Sequence, residues 1–266
     1  MEKEILNMEE AAELFNVSIK TFIKLLKEEK VPARKIGREW RFSRQALVQW
    51  LSSGDSQQYS SSDSDTREFF DRVAPEWESM RGGFYDEAVI SRLLDTGLLS
   101  GNMTLVDLGA GDGYLSRAVS SRVEKVIAID ISGEMLKELN KKAVQDRASN
   151  IQTIVGDGCD MPIEGESVDF VCTNMFLHHI EEPILAIREI YRVLKPGGRV
   201  FVADLKEHGN VEFKDKMHDV WQGFSQTEVR EWFVKCGFKN IQLDPVSKKT
   251  PSKKGDDGIF IMVAEK

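Results

Sequence analysis

The chain has 266 residues, of which 41% are hydrophobic and 30% are charged, and its formal net charge is -8 at pH 7. This composition excludes general disorder, and the length suits one medium domain with one small domain. Because the first residues are acidic and no apolar run is long enough to cross a bilayer, we expect a cytoplasmic protein. The three cysteines are odd in number and lack metal-type spacing, which argues against a disulfide framework.

The charge is unevenly distributed along the chain. Between Lys20 and Arg44, nine Lys and Arg residues stand against three Glu, so this segment has a net charge of +6 while the rest is acidic. Residues 52–65, SSGDSQQYSSSDSD, contain one aromatic and no aliphatic side chain, and they predict a flexible linker. The sequence therefore predicts a small domain over residues 1–51, a linker over 52–65 and a large domain over 66–266.

The first 51 residues predict helices and one basic β-hairpin. The second helix places Ile19, Phe22, Ile23 and Leu26 at helical spacing, which predicts that these four side chains share one buried stripe. The segment VPARKIGREWRFS then predicts a tight hairpin around Gly37, followed by a last helix. A helix-turn-helix followed by a basic hairpin is a layout of DNA-reading proteins, in which the second helix enters the major groove.

The segment MEEAAELFNVSIKTFIKLLKEEKVPARKIGREWRFSRQALVQWL resembles the winged helix-turn-helix of the excisionase and MerR-like families. The resemblance covers most of residues 5–51 and implies that the second helix contacts bases while the hairpin contacts phosphates. A basic helical module for protein contacts is the alternative, and one small DNA module would gain useful affinity as a homodimer. The implied DNA-binding residues are Ser18, Lys20, Thr21, Lys24, Arg34, Lys35, Arg38 and Arg41.

The large domain alternates short β-branched runs with helical stretches, which predicts an α/β fold with a parallel sheet. Two further runs near the end, FKNIQLDP and GIFIMVAEK, predict an antiparallel pair. The candidate parallel strands are TLVDL, KVIAID, IQTIVG, VDFVCT and RVFVAD, which begin at positions 104, 125, 151, 168 and 199.

A glycine-rich turn, DLGAGDG at residues 107–113, follows the first of these strands. It matches neither common phosphate-binding pattern, because Tyr114 stands where a dinucleotide fingerprint has its third glycine and no Gly-Lys-Ser/Thr follows. Asp130 ends the second strand, where a carboxylate accepts the hydroxyls of a ribose, and Asp157 follows the third. The pattern therefore favours a nucleoside without phosphates.

Five ordered segments resemble the successive motifs of class I S-adenosylmethionine-dependent methyltransferases of types 11 and 25: VDLGAGDGYLS, VIAIDIS, VGDGCDMP, VDFVCTNMFLHHI and REIYRVLKPGGRVFVADL. The resemblance spans about residues 66–266 and implies a Rossmann-like seven-stranded sheet with S-adenosyl-L-methionine as cofactor. FFDRVAPEWESM resembles the helical cap that covers the methyl donor. The resemblance assigns Asp107, Gly109, Gly111 and Gly113 to the methionine part of the donor, Asp130 to the ribose, Asp157 and Gly158 to the adenine, and Asn174 to the pocket lining.

All four histidines lie between positions 178 and 218, on the side of the sheet where an acceptor would bind. The segment ADLKEHGNVEFKDKMHDVWQGFS, residues 203–225, also resembles a pattern in bacterial methyltransferases fused to arsenic-repressor-type winged helices. Local packing is the alternative role for the histidine pair. The catalytic candidates are His178, His179, Asp204 and His208. An acid/base cluster or a divalent-metal site is a further interpretation of Glu207, His208, His218 and Asp219. Their spacing does not identify a metal site, so the metal stays unassigned, with His208 and His218 as candidate ligands.

Three functions fit these patterns. The first is methylation of a small cytoplasmic molecule, coupled to a DNA-binding module. The second is a transcription regulator whose methyltransferase-like domain senses a ligand. The third is a methyltransferase delivered to nucleic acid, which the acidic balance of the large domain disfavours because such a site needs a basic entrance.

Overall fold

The computed structural model describes the chain except for residues 1–2, 16, 18, 29–30, 38, 54–55, 82–87, 210–216 and 245–257. It divides into two compact units, Met1–Ser61 and Ser62–Lys266. Within the described residues, we find no helix that is both long and apolar enough to span a membrane.

Up to residue 53, the described part of the small unit has three helices and a three-stranded antiparallel sheet, in which the third strand lies between the first and the second. The predicted hairpin around Gly37 is confirmed, because Lys35 pairs with Trp40 across it. The elements are β1 (Ile5–Leu6), α1 (Met8–Leu14), α2 (Ile19–Glu28), β2 (Arg34–Ile36), β3 (Glu39–Ser43) and α3 (Arg44–Ser53).

The core of the small unit is aromatic. Phe22 of α2 is fully buried, and its ring lies 5.1 Å from that of Phe42 on β3. The predicted stripe on α2 is wrong for Ile19 and Ile23, which are 43% and 37% exposed. Phe22 itself faces the core, and with about 3.6 residues per turn Ile19 and Ile23 lie about 60° and 100° to one side of it, at the flank of the buried face.

A helix occupies most of the segment for which the sequence predicted a flexible linker. α4 (Ser56–Val73) includes ten of the serine-rich residues, and α3 already extends to Ser53. The prediction of a coil is therefore wrong over residues 56–65. Serine, glutamine and aspartate cost an α-helix less than 1 kcal/mol each, and here they run without a break into a segment that carries Phe69 and Phe70.

The large unit confirms the predicted Rossmann-like seven-stranded α/β fold. Its sheet has the order β6-β5-β4-β7-β8-β10-β9, in which neighbouring strands from β6 to β8 are parallel and β10 is antiparallel to both β8 and β9. After α4, its elements are α5 (Trp77–Arg81), α6 (Ala88–Asp95), β4 (Thr104–Leu108), α7 (Tyr114–Val119), β5 (Lys125–Asp130), α8 (Gly133–Gln145), β6 (Ile151–Val155), β7 (Val168–Asn174), α9 (Pro183–Val193), β8 (Leu194–Leu205), α10 (Gln226–Cys236), β9 (Lys239–Leu243) and β10 (Ile259–Glu265).

Helices cover both faces of this sheet, so its central strands are apolar at nearly every position. Along β4, Leu105 packs in the layer that contains α6 and α7, whereas Val106 packs in the layer that contains α9 and α10. The strand order reverses between β4 and β7. The carboxyl ends of these two strands therefore border a crevice, which is where ligands bind in open α/β sheets.

Candidate active site

One pocket lies at the carboxyl ends of β4, β5, β6 and β7, and helices α4 and α5 line its other side. It contains about 900 Å³ of space free of atoms, part of which is open to solvent. Seven of the eight predicted donor residues line this pocket, together with one catalytic candidate: Asp107, Gly109, Gly111, Asp130, Asp157, Gly158, Asn174 and His179.

The glycine-rich turn packs against an aromatic ring that the sequence analysis had not singled out. A β-carbon added to Gly109 would lie 2.5 Å from Phe176 Cδ2, and one added to Gly158 would lie 2.4 Å from Phe176 Cζ. These two glycines therefore hold the ring of Phe176 between two backbone segments. Gly113, the eighth predicted donor residue, instead packs against Leu139 of α8. Its lack of a side chain therefore lets α8 lie close to the glycine-rich turn.

Asp130 joins the end of β5 to the glycine-rich turn. Its Oδ2 accepts a hydrogen bond from Gly111 N at 2.8 Å, and its Oδ1 accepts one from Ser132 N at 2.9 Å. Burial raises the pKa of Asp130 to about 6, against the lowering effect of these two donors. Because a carboxylate has about four acceptor positions, its oxygens can accept further hydrogen bonds from a ligand.

Asp107 fixes the start of α7. Its buried Oδ2 accepts hydrogen bonds from Ser116 N at 2.8 Å and from Ser116 Oγ at 2.6 Å. Burial raises the pKa of this carboxyl group to about 6, although both bonds from Ser116 oppose the increase. Asp107 therefore holds the glycine-rich turn in place in addition to lining the pocket.

Helices α4 and α5 are attached to the pocket by polar contacts on two sides. Asp71 Oδ1 accepts hydrogen bonds from Ser132 Oγ at 2.6 Å and from Glu134 N at 3.3 Å. On the other side, Lys142 Nζ lies 2.9 Å from Glu78 Oε2 and also pairs with Asp112 of the glycine-rich turn. Thr66, Phe70 and Trp77 line the pocket from these helices.

The histidine pair occupies the short 3-10 turn Leu177–His179 that follows β7. His178 is buried, and its Nδ1 lies 2.6 Å from Asp204 Oδ1 at the end of β8. Burial opposes protonation of this ring, but Asp204 and Asp219 outweigh it and raise the pKa of His178 to about 9. His178 and Asp204 are not among the described residues that line the pocket.

Asp219 completes this cluster. Its Oδ1 lies 3.4 Å from His178 Nε2 and 3.6 Å from His179 Nδ1, and the side chain is completely buried. Neither carboxylate oxygen forms a hydrogen bond of normal geometry with the described residues. His218, the preceding residue, has a left-handed backbone with φ of 58°, a conformation that is costly for a side chain of this kind.

His179 connects this cluster to the pocket. Burial and the neighbouring His178 hold the pKa of His179 well below its usual range, so the ring is neutral at pH 7. Phe70 of α4 packs edge-on against it, with the ring centres 5.0 Å apart. Among the four catalytic candidates, His179 is the one that lines the pocket within the described part of the chain.

The predicted metal candidates lie elsewhere. Among the described residues, the group that could hold a metal ion is His178, His179 and Asp219, whose ligand atoms all lie within 4.8 Å of one another. His218 instead stacks on Phe69 at 5.3 Å, and the backbone N–H of His208 donates to Gln222 O. His208 and His218 do not belong to this group, and their assignment as metal ligands stays a prediction.

Sequence reasoning also missed residues that shape the site. Phe176 stands within a quoted motif, but its contact with Gly109 and Gly158 depends on the packing of three separate loops. Trp77 and Asp71 lie in the segment expected to cap the donor, where no pattern marked them individually. Asp219 is a candidate from the sequence together with Glu207, His208 and His218, but its contacts with His178 and His179 depend on tertiary packing that no sequence pattern shows.

The small unit presents part of its predicted basic surface on the hairpin. Arg34 and Lys35 of β2 are exposed, whereas Arg41 of β3 is paired with Glu39. The structure leaves Ser18 and Arg38 outside the described residues. The side chains of Lys20, Thr21 and Lys24 on α2 are likewise outside the described part.

Comparisons with protein families agree with the folds of the large unit and the small unit. Residues 106–202 match the model of a family described as a methyltransferase domain, and residues 5–55 match one described as a helix-turn-helix domain. The large unit carries a class I methyltransferase domain. The cofactor that this methyltransferase domain indicates is S-adenosylmethionine.

Individual relatives resemble the methyltransferase domain. An uncharacterised methyltransferase of Schizosaccharomyces pombe is 36% identical over 117 residues, which are 44% of this chain and 44% of the relative. The match therefore spans less than half the length of that relative. A protein described as a methyltransferase, solved in complex with the Haloferax volcanii Trm112 activator, has a TM-score of 0.61 at 23% identity, covering 74% of this chain and 96% of its own.

A second solved structure is phosphoethanolamine N-methyltransferase 2 of Haemonchus contortus, in complex with phosphomonomethylethanolamine and S-adenosylhomocysteine. It has a TM-score of 0.58 at 22% identity, covering 67% of this chain and 46% of its own. At this level of identity the likeness demonstrates a shared fold.

Proposed function

We propose that this protein is an S-adenosylmethionine-dependent methyltransferase that acts on a small cytoplasmic molecule and binds DNA through its helix-turn-helix domain. The observation that carries the methyltransferase proposal is the convergence of seven predicted donor residues on one pocket at the switch point between β4 and β7. These residues come from four different strand ends, so their convergence does not follow from proximity in the sequence.

The residues of this pocket fit the donor. Asp130 would accept the ribose hydroxyls, while Gly109 and Gly111 let the donor approach the backbone closely. Asn174 lines the pocket, and its buried Oδ1 has no hydrogen-bond partner among the described residues, so it can accept a hydrogen bond from the amino group of the donor. When bound, S-adenosylmethionine supplies a methyl group on a positively charged sulfur.

The chain itself would position the acceptor and exclude water, which is the main requirement for an in-line methyl transfer. Phe70, Trp77 and Phe176 provide apolar walls. His179 is a neutral polar group at the pocket, so it can hydrogen-bond to an acceptor. His178 and Asp204 act through His179 as positioning residues, and we assign no role in the reaction to His208.

A small acceptor is the simplest occupant of the remaining space. Helices α4 and α5 flank the pocket and restrict its entrance, and the large domain is acidic, which disfavours a nucleic-acid substrate. The Haemonchus contortus enzyme of the same fold was solved with a small phosphorylated amine. This likeness supports the size class of the acceptor and leaves its chemical identity to experiment.

Calorimetric titration with S-adenosylmethionine and S-adenosylhomocysteine tests the donor site. We expect Asp130→Ala to weaken binding by about 10- to 150-fold, since a hydrogen bond to a charged group contributes about 1.5–3 kcal/mol. Glu124→Ala, which removes an exposed carboxylate before the start of β5, is the matched control and should bind normally. Failure of the wild-type protein to bind either ligand would overturn the proposal.

Turnover distinguishes an enzyme from a ligand sensor. Formation of S-adenosylhomocysteine would be followed while small thiols and amines are offered as acceptors. Turnover with one of them supports the enzyme. Donor binding without turnover on any acceptor class would favour the alternative, a transcription regulator that uses this domain as a sensor.

Salt-dependent DNA binding tests the small unit separately. Each Lys or Arg that contacts a phosphate contributes about one unit to the salt dependence of binding. We expect Arg34→Ala and Lys35→Ala to weaken DNA binding and to reduce that slope by about one unit each, without changing donor affinity. Lys137→Ala, an exposed lysine of the large unit, is the control. DNA affinity that is unchanged in both hairpin variants would contradict this part of the proposal.

A further inference from the structure

The side chains of His178, His179 and Asp219 converge at a point beside the donor pocket, and the proposed methyl transfer assigns no role to Asp219. Two imidazoles and one carboxylate present ligand atoms within 4.8 Å of one another. We propose that these three residues bind one divalent transition-metal cation, with Zn²⁺ preferred, through His178 Nε2, His179 Nδ1 and the carboxylate of Asp219.

The distances between the three ligand atoms suit metal coordination, although His179 Nδ1 also lies 3.4 Å from His218 O. Asp219 Oδ1 lies 3.4 Å from His178 Nε2 and 3.6 Å from His179 Nδ1, both longer than a normal hydrogen bond. In a tetrahedral Zn²⁺ site with ligand bonds of about 2.0–2.2 Å, neighbouring ligand atoms are about 3.3–3.6 Å apart. The two contacts therefore have the length of a tetrahedron edge.

The surroundings of His178 match those of a metal-binding histidine. Such a histidine usually donates its second ring N–H to a carboxylate, which fixes the ring orientation and leaves the other nitrogen free for the metal. His178 Nδ1 lies 2.6 Å from Asp204 Oδ1. Asp204 is itself held by the backbone N–H of Leu177 at 2.8 Å, so the ring is fixed with Nε2 directed towards Asp219.

The carboxylate of Asp219 has only long contacts with its two histidine neighbours. Its carboxylate is completely buried, and neither oxygen forms a hydrogen bond of normal geometry with the described residues. A buried charge of this kind is costly unless it is paired or coordinates a metal. Asp204 and Asp219 together carry two negative charges around His178, which one divalent cation would balance.

The ion would lie at the wall of the pocket. His179 lines the pocket, whereas His178 and Asp219 are not among the described residues that do so. Coordination would therefore fix the ring of His179 and tie residues 217–221 to the end of β7. These residues already contact the turn, because Val220 N and Trp221 N both donate to His178 O. Imidazole and carboxylate together suit Zn²⁺ and related first-row cations.

The test uses the full-length protein after removal of metals by a chelator. Titration with Zn²⁺ against a chromophoric competitor measures stoichiometry and affinity, and titration with Co²⁺ reports the coordination geometry by visible absorption. We expect one ion per chain and an absorption spectrum of a tetrahedral cobalt site. Absence of both would overturn the proposal and would leave His178 as a cation held between two carboxylates.

Variants separate this site from adventitious binding. Asp219→Asn and His179→Gln each remove one ligand, and we expect affinity to fall by at least about 100-fold, since losing a group that merely supports a ligand costs about 10- to 100-fold. Asp204→Asn should show that smaller loss. His208→Gln removes a histidine outside the cluster and should leave metal affinity unchanged, so a loss in this variant would contradict the assignment.

Circular dichroism of the metal-free variants shows whether each variant still folds, so that a loss of metal binding is not confused with a loss of structure. Metal binding that survives in Asp219→Asn or His179→Gln, with the fold retained, would overturn the proposal. If Asp219→Asn does not fold, His179→Gln, which alters the less enclosed ligand, and the wild-type cobalt spectrum decide the question. None of these measurements depends on methyl transfer, so the metal site can fail while the proposed function stands.

Discussion

The two sides of the pocket are built by different means. On the donor side, the glycine-rich turn, Asp130 and Gly158 lie at the end of a strand or within three residues of it, and backbone N–H groups donate to the carboxylate of Asp130. On the histidine side, His178, Asp204 and Asp219 come from three separate segments and place two buried carboxylates around one ring. The donor side depends on the shape of the backbone, whereas the histidine side depends on the balance of buried charge.

Replacement of His178 should have the largest effect, because it removes the cation between Asp204 and Asp219. Leaving a buried charge without its partner costs about 3–5 kcal/mol. We expect His178→Leu to lower the free energy of unfolding of the metal-free protein by about this amount, as measured by urea denaturation of the large unit. The double variant His178→Leu with Asp219→Asn should recover part of the loss.

A loss below about 1 kcal/mol, the range of ordinary surface substitutions and typical single changes, would mean that the two carboxylates are not charged together. The histidine side would then not depend on a balance of buried charge, and this contrast with the donor side would be lost.

The donor side should respond instead to a change of shape. Alanine at Gly109, where φ is 70°, would place its β-carbon 2.5 Å from Phe176, whereas at Gly111, where φ is 52°, the nearest described atom is Trp77 Nε1 at 3.7 Å. A left-handed residue costs about 1–2 kcal/mol and overpacking adds about 1–3 kcal/mol. Denaturation should therefore show a loss of about 2–5 kcal/mol for Gly109→Ala and of about 1–2 kcal/mol for Gly111→Ala.

Equal losses in these two variants would contradict the contact between the glycine-rich turn and Phe176. In that case the shape of the turn would matter through backbone strain alone.

The same contrast explains how much the sequence could reveal. The strand ends, Asp130 and the glycine-rich turn were predictable because each is a local pattern at a strand terminus. The pairing of His178 with Asp204 and Asp219 was not, because these residues are separated by 26 and 41 positions and meet through the packing of β7, β8 and residues 217–221.

Helix predictions failed for a related reason. The exposure of Ile19 and Ile23 depends on which flank of α2 meets Phe42, which helical spacing alone leaves open. The serine-rich segment lacks apolar periodicity, so its composition indicated a coil although the residues themselves tolerate a helix. In both cases tertiary context decided between conformations of similar intrinsic cost.

The pH dependence of donor affinity should isolate Asp130. Burial raises its pKa to about 6. The ionised form is the one that accepts hydrogen bonds from the ribose hydroxyls and attracts the positively charged sulfur of the donor. Affinity should therefore increase by about tenfold between pH 5 and pH 7, because the ionised fraction changes by that factor around a pKa of about 6. Calorimetry across this range should show a much weaker dependence in Asp130→Asn.

Stability should change in the opposite direction. The folded-state pKa of Asp130 is above the ordinary value of 3.8, so its contribution to the stability of the unliganded protein is present below pH 3.8 and is lost as pH rises through about 6.

An affinity profile identical in the wild type and Asp130→Asn would show that Asp130 does not contact the donor.

The smallest expected effect concerns helix α4, which touches both sides of the pocket through neighbouring residues. Phe70 packs on His179, while Asp71 accepts hydrogen bonds from Ser132 and Glu134 beside Asp130. Since a net hydrogen bond contributes about 1 kcal/mol, Asp71→Ala should accelerate donor dissociation about fivefold in stopped-flow measurements. Glu68→Ala, an exposed acid on the same helix, is the matched control. Because Asp71 contacts the donor side alone, metal affinity at His178, His179 and Asp219 should remain unchanged in this variant, and a parallel loss of both would mean that α4 couples the two sides of the pocket.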